Sequence, residues 1–533
     1  MNTALPVSKR AAAVTALELT LVVGLSLALR TANLLSLPIF FDEAGYLRWA
    51  VDIWDQKTRV ALFMPMVEDG KQPLFMWLAG PFTQLAPDPL LGARWLSALA
   101  GVASALGVYF AGYWLVGRSV GLAAALLYAV GPYNLFFDRM ALVEALLNTG
   151  GVWGLGLAVF VTKRARGRLE AMLAGGALGA ALAASLWTKM TAVFVLPFPV
   201  LCVLMLSRRK RLAESVAGFT AGGLVLGASL LLLSRMPGAD KLVDKASSFA
   251  MDPRDLLSFP VEWWARNVWE YLSWIQTYFV TPLWWLLLAA VVWAFLARRR
   301  EALLLLLCWA VATIPLTLLA IPKLYASRYL VHGVFPLYLL TADFVVSGWD
   351  RLREWGGRRL ARAGAATAVL VLLAAVGPTL AFDYRLLEAP EQADLSSSDR
   401  RLYVTGWTAG YGFVDALRLV RQRALELTRD GQPIIVLSGD NRGTPYAALK
   451  VYMRDIPNVH HYVDMHLAHD PEGFMMAWKW HRVPILLVGN QGYDDLEAFE
   501  RGVPQAKRLG EFLKPEGRSY FRVYEVAKED LEP

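Results

Sequence analysis

Cysteine is scarce: the 533 residues hold two, Cys202 and Cys308, each inside an apolar run. Two such thiols read as small core residues rather than a disulfide framework, and they exclude a cysteine-based zinc motif. Charge is also thin. Asp, Glu, Lys and Arg make up 18% of the chain against 56% hydrophobic residues, and the mean hydropathy is +0.40. A soluble protein of this length needs more polar surface, so the composition points to a membrane class. The sequence also lacks an internal repeat and any low-complexity stretch. A net charge of +8 raises nucleic acid as a partner. Much of the Lys and Arg, however, lies in short clusters between apolar runs, as in cytoplasmic loops, which disfavours nucleic acid.

What is abundant is apolar sequence of spanning length. Lys9 and Arg10 precede an apolar run from about Ala11 to Leu37. The run is too long for the core of a signal peptide, so it reads as an uncleaved first helix. Further segments recur at roughly 91–116, 119–136, 141–161, 169–187, 190–207, 213–234, 282–297, 301–321, 328–347 and 362–382, giving about eleven spans with the first at 12–36. Ser8-Lys9-Arg10, Arg118, Lys163 to Arg166, Arg208 to Arg211, Arg298 to Arg300 and the stretch from Arg351 to Arg362 then fall on one side. The positive-inside rule makes that side cytoplasmic and predicts a multi-pass plasma-membrane protein with a cytoplasmic N-terminus.

The opposite face receives the loop 38–90, the turn Phe137-Asp138-Arg139, a Trp-rich loop 235–281 and everything after about Asp383. The 235–281 loop reads as interfacial amphipathic helices. In the tail, Ile434 to Leu437 and Ile485 to Val488 are too short to span and read as buried strands beside helical patterns at 411–427 and 494–501. The expected architecture is a polytopic α-helical membrane domain, 1–382, including loops 38–90 and 235–281. A soluble extracytoplasmic α/β domain with a mostly parallel sheet, 383–533, follows it.

Several residues stand out chemically. Asp42 and Glu43 follow the first span among aromatics, where poor solvation raises carboxylate pKa values and suits a general base. The competing reading makes Asp42 the N-cap of a helix starting near Glu43. Lys71, beside Pro73, is a candidate for a lipid phosphate or a snorkelling lysine. Arg139 and Glu144 lie close to or inside the apolar zone, while Asp138 and Arg139 also fit a solvated turn. Lys189 occupies a hairpin with almost no polar loop and points to a cavity or an anionic ligand. Lys323, Arg328 and His332 add basic character at the outer ends of later spans, and together with Lys71 and Arg139 could form a cationic ring that stabilises a phosphate leaving group. Arg30, near the outer end of the first span, reads either as the partner of a carboxylate or as a snorkelling side chain, with pairing ahead. His460, His461, Asp464, His466 and His469 form a cluster open to two readings, a divalent-metal site or a histidine-rich surface strand. The run Gly406 to Gly412 lacks dinucleotide-loop spacing and reads as a helix-entry turn.

Taken in order, these elements resemble a known group. An Asp-Glu pair after the first span, Lys71-Gln72-Pro73-Leu74, Arg139 with Glu144 five positions on, Thr188-Lys189, then Lys323, Arg328-Tyr329-Leu330 and Pro336 are similar to the motif order of the C-type (GT-C) membrane glycosyltransferases. That superfamily includes the protein O-mannosyltransferases and lipid A aminoarabinose transferases, and the resemblance covers about 12–345. It implies an inverting hexosyl or pentosyl transfer from a polyprenyl-phosphate sugar to a lipid, glycan or protein hydroxyl on the extracytoplasmic face. Asp42 would be the base and Glu43 its positioning neighbour. Lys71, Arg139, Lys189 and Lys323 would hold the carrier phosphate, with Arg328, Tyr329 and His332 in the same binding region, and Glu144 would orient Arg139 or the sugar. Gln72 stands where relatives often carry a second proline. The tail has the Trp407-x-x-Gly410-Tyr411-Gly412 run of some bacterial and archaeal members and lacks β-trefoil repeats. Alternatives from other classes are a lipid-linked sugar flippase, disfavoured by the missing repeat, and a non-catalytic scaffold presenting the tail.

Overall fold

In this computed structural model the described residues are 9–319, 326–439, 442–463, 478 and 481–531. The chain forms two compact units. One comprises Met1–Ala32, Phe63–Phe75 and Arg94–Leu387; the other comprises Asn33–Leu62, Met76–Ala93 and Glu388–Pro533.

The first unit is helical. Among the described residues seven helices are long and apolar enough to cross a bilayer: Ala12–Thr31, Pro89–Leu115, Glu144–Lys163, Arg168–Leu186, Arg209–Ser234, Val261–Ala297 and Arg300–Leu319. Two bent pairs raise the number to nine, Arg118–Ala129 with Pro132–Asp138 at 60° and Ser327–Gly333 with Phe335–Arg351 at 51°. The first bend falls at Gly131, which is extended before Pro132, and the second just ahead of Pro336, whose missing N–H is tolerated in the first turn of the helix that follows.

By length and composition the described residues thus give seven to nine spans, against about eleven expected. The segment at 190–207 divides into a 3₁₀ turn, Met190–Val195, and a short helix, Phe198–Leu206, with Pro197 at the join. The segment at 362–382 belongs to a helix running from Phe335 to Glu388. The stretch from Arg351 to Arg362 is thus helical rather than a loop, and its Arg, Leu, Glu and Ala residues favour that state.

Close helix packing relies on small residues. Gly175 and Gly179 of Arg168–Leu186 face Gly218 and Gly222 of Leu212–Ser234, and a Cβ on Gly222 would lie 2.7 Å from the Gly175 carbonyl oxygen. Such spacing lets two apolar helices bring their backbones together where no hydrophobic drive separates lipid from protein. Cys202 and Cys308 are buried.

Arg30 finds the carboxylate expected of it. Its Nη2 lies 2.9 Å from Asp138 Oδ2, with the side chains 0% and 2% exposed. Tyr128 Oη donates to the same oxygen at 3.1 Å, Asn148 Nδ2 donates to Tyr128 Oη at 2.7 Å, and Arg30 Nη1 donates to the Ala129 carbonyl at 3.1 Å. Asp138 and Arg139, which also fitted a solvated turn, are both buried. Their charges are met by protein groups, as an apolar surrounding requires. The 235–281 loop contains the helices Ala239–Ser247 and Pro253–Leu257 and the start of Val261–Ala297.

The second unit contains a five-stranded sheet of order β2-β1-β3-β5-β4. Its strands are β1 (Ile434–Ser438), β2 (Val459–Val463), β3 (Ile485–Asn490), β4 (Lys507–Leu513) and β5 (Tyr520–Val526). β1 pairs in parallel with β2 and β3, while β5 runs antiparallel to both β3 and β4. The sheet is thus mixed rather than mostly parallel. The six residues between β4 and β5 are too few for a parallel crossover and permit only a hairpin. β1 and β3 are buried along their whole length, which is why they read as unbroken apolar runs, whereas edge strand β2 alternates. Ile435, Leu437, Leu487, Leu496, Phe499 and Tyr524 share one core.

Candidate active site

The segment carrying Asp42 and Glu43 belongs to the second unit. Its helix, Phe41–Gln56, starts one residue before Asp42, and Phe40 holds the N-cap position. Glu43 Oε2 accepts the Phe40 N–H at 2.9 Å. A glutamate three residues into a helix satisfies one of the orphan donors of the first turn in this way. The capping role left open for Asp42 therefore falls to Glu43, which is fully buried. Asp42 differs from its neighbours: Phe41 and Glu43 to Val51 are buried, whereas Asp42 is partly exposed. Asp42 lies in the first turn, at the positive end of the helix dipole.

Residues far along the chain fix this turn. The Phe41 N–H donates to the Thr408 carbonyl at 3.1 Å. The Phe40 ring lies against Tyr403, with centroids 4.6 Å apart, and the Phe41 ring meets Trp407 edge-on at 5.1 Å. Gly45 passes so near the loop after β1 that a Cβ there would sit 2.5 Å from the Arg442 carbonyl oxygen. Lower on the helix, Asp52 pairs with Lys450 at 3.3 Å and Asp55 with Arg454 at 3.5 Å.

A second constellation lies in the first unit. Glu144 opens the helix Glu144–Lys163, and Lys189 immediately precedes the turn Met190–Val195. Lys189 Nζ lies 2.7 Å from Glu144 Oε1, and Arg328 Nε lies 3.9 Å from the same oxygen. Both cations rest on one ring: Lys189 Nζ is 4.8 Å, and Arg328 Cζ 5.5 Å, from the Tyr329 centroid. His332 is buried one turn beyond Arg328. Glu144 thus has Lys189, rather than Arg139, as its hydrogen-bonded partner. Two cations gathered beside one carboxylate on one ring make a basic cluster of the kind that binds an anion such as a phosphate.

Lys71 lies in the same unit, 3.2 Å from Asp69. Asp69 is also held by Lys245 at 2.6 Å. Burial would raise the Asp69 carboxyl, but Lys71 and Lys245 beside it bring it below its ordinary value. Lys245 in turn lies 5.7 Å from the Phe249 centroid, and Phe249 is 6.5 Å from the Tyr329 ring. The Leu74 N–H donates to the Trp187 carbonyl at 3.2 Å, tying the Lys71 segment to the Lys189 hairpin.

Arg139 has a structural task in this arrangement. Its Nη1 donates to the Leu29 carbonyl at 2.9 Å and to that of Ala32 at 2.5 Å, capping the first helix at the end where a cation is favoured. Lys323, Asp464, His466 and His469 lie outside the described residues. His460 and His461 lie on β2, and among the described residues no three His, Cys, Asp or Glu side chains converge as metal ligands do. Burial, with Lys450 and His460 nearby, lowers His461 to about 4. Sequence reasoning missed Asp69, Lys245 and Phe249. The sole hint was the alternation of charge in Asp69-Gly70-Lys71.

Residues 70–232 match the dolichyl-phosphate-mannose-protein mannosyltransferase family. No curated protein matches the sequence. Among solved structures, ArnT from Cupriavidus metallidurans bound to undecaprenyl phosphate is similar at 14% identity, covering 98% of this chain and 99% of that one, with a TM-score of 0.59. The oligosaccharyltransferase AglB from Archaeoglobus fulgidus, in complex with an inhibitory peptide and a dolichol-phosphate, is 14% identical over 96% of this chain and 74% of its own, with a TM-score of 0.56. The arabinofuranosyltransferase AftD from Mycobacteria is 15% identical over 96% of this chain and 41% of its own, with a TM-score of 0.50. These likenesses bear out the resemblance drawn from motif order: the chain is an integral, multi-pass membrane protein with the GT-C glycosyltransferase fold.

Proposed function

We propose that this protein is an inverting glycosyltransferase that moves a hexosyl or pentosyl group from a polyprenyl-phosphate carrier to a hydroxyl of a lipid, glycan or protein. The observation that carries the reading is the pairing of Lys189 and Arg328 on Glu144 over one Tyr329 face. It gathers two cations of the kind that hold a carrier phosphate. Undecaprenyl phosphate and dolichol-phosphate in the structures of two proteins of like fold support the same carrier class. The extracytoplasmic face is assigned from the basic clusters, which take the cytoplasmic side under the positive-inside rule.

On this reading Asp42 takes the proton of the acceptor hydroxyl. The oxygen attacks the anomeric carbon from the face opposite the phosphate, and the carbon–oxygen bond to phosphate breaks with its electron pair leaving on the phosphate. One displacement inverts the anomeric centre. Lys189, Arg328 and Lys71 stabilise the charge that accumulates on the leaving phosphate. Glu144 Oε1 is held by Lys189, and Oε2 accepts no hydrogen bond among the described residues, leaving it to take one from a sugar hydroxyl. Purified protein given a polyprenyl-phosphate sugar and acceptor should release polyprenyl phosphate. The Asp42→Asn variant should lose roughly 10²–10⁴-fold of that rate, the range of a general base. Full activity in the variant removes Asp42 from the chemistry.

A further inference from the structure

The run from Gly406 to Gly412 is not used by the transfer as described, yet it packs directly on the Asp42 turn. Thr408 supplies the carbonyl that accepts the Phe41 N–H, and Trp407 supplies the ring against Phe41. Gly410 runs so close to the Ile39 carbonyl that no Cβ could be accommodated. Fixing Phe41 fixes the backbone from which the next side chain, Asp42, leaves.

The run is itself buckled from behind. Lys514, in the β4–β5 turn, is 2% exposed. Its Nζ donates to the Gly406 carbonyl at 3.2 Å, the Trp407 carbonyl at 2.9 Å and Asn490 Oδ1 at 2.9 Å. Those are three acceptors for the three donors of an ammonium group. Asn490, at the end of β3, donates its Nδ2 to the same Trp407 carbonyl at 2.9 Å. Behind Lys514 the Phe521 ring lies 4.3 Å from Nζ, and Tyr493 lies 5.3 Å from the Trp407 ring. The hydrogen bonds of Lys514 all go to carbonyl oxygens and none to a carboxylate, an arrangement that costs desolvation of the charge and is hard to explain as a stabilising device.

We infer that Lys514 is a positioning residue for Asp42, acting through the Gly406–Trp407 carbonyls and the Trp407–Phe41 contact to hold the carboxylate in register with the acceptor. The chain of contacts is Lys514 to Trp407, Trp407 to Phe41, and Phe41 to its neighbour Asp42, all within one compact unit. The inference rests on the reading of Asp42 as the base.

The test compares Lys514→Met and Trp407→Leu with Asp42→Asn. For each the assay reads kcat, the KM for the polyprenyl-phosphate sugar, and the thermal unfolding transition followed by circular dichroism. Positioning predicts that both variants remain folded at the assay temperature, keep the donor KM and lose kcat by roughly 10²-fold, the scale of an ångström of misplacement. Trp407→Leu keeps the lysine–carbonyl bonds and cuts the contact with Phe41, so it gives the result where Lys514→Met fails to fold. Wild-type kcat in the folded variants, with Asp42→Asn inactive, overturns the inference and spares the base. Full activity in Asp42→Asn overturns both.

Discussion

The two compact units handle charge in different ways. In the membrane unit, Arg30 and Asp138 are hidden from solvent and meet each other directly, and Lys189 meets Glu144 in the same manner. Carbonyls within the helices are already satisfied, so these two carboxylates are answered by side-chain cations, while Arg139 takes carbonyls left free at the end of the first helix. In the second unit, the Asp42 turn is placed by backbone carbonyls and aromatic rings, and Lys514 is met by carbonyls with no carboxylate among its hydrogen-bond partners. On the proposed function, anion binding and proton removal fall to separate folding units. Two cations on one carboxylate characterise the first, and a partly exposed carboxylate on a clamped turn the second.

That contrast can be broken experimentally. The largest effect on stability is expected from Arg30→Met, which leaves Asp138 charged inside the helical unit and should cost about 3–5 kcal/mol, read by denaturation in detergent. Adding Asp138→Leu should recover most of the loss, because an apolar pair replaces an ionic one at little net cost. An unchanged midpoint in Arg30→Met would mean that the pair carries no structural weight.

A smaller effect is expected from Lys189→Ala. Losing a charged hydrogen-bond donor to the carrier phosphate, at about 1.5–3 kcal/mol, should weaken polyprenyl-phosphate binding roughly 10- to 100-fold. Unchanged carrier affinity would leave Lys189 a structural role only.

The smallest effect concerns pH. Burial lowers Lys514 to about 7 from its ordinary 10.5. The unfolded chain then binds a proton that the folded one lacks between those values, so stability contributed by this group rises as pH climbs from about 7 toward 10.5 and is lost as pH falls through about 7. Melting curves of wild type across that range should show the rise, and Lys514→Met should flatten it. Equal slopes in both would show that Lys514 remains charged when folded.

Much of this was legible in the sequence. Apolar runs located most of the spanning helices because length and hydropathy suffice to specify them, and β1 and β3 were visible as short unbroken apolar stretches. The bends at Pro132 and Pro336, and the continuation of the helix through Arg351 to Arg362, depend on local backbone geometry that hydropathy does not encode. Asp42, Glu144, Lys189 and Arg328 were found as charges in apolar surroundings. Which of them would touch was not. Glu144 could have served Arg139 or the sugar, and its actual neighbour Lys189 comes from a hairpin 45 residues later. Lys514 gave no signal, since a lysine between two strands reads as a solvated turn residue until the carbonyls around it are known.

The central claim is a division of labour between the carrier-anion constellation and the Asp42 turn. It is tested most directly by measuring, on one preparation of Asp42→Asn, both polyprenyl-phosphate affinity and the rate of carrier release from a polyprenyl-phosphate sugar. The account predicts wild-type affinity with turnover reduced by roughly 10²–10⁴-fold. Turnover at the wild-type rate would contradict it.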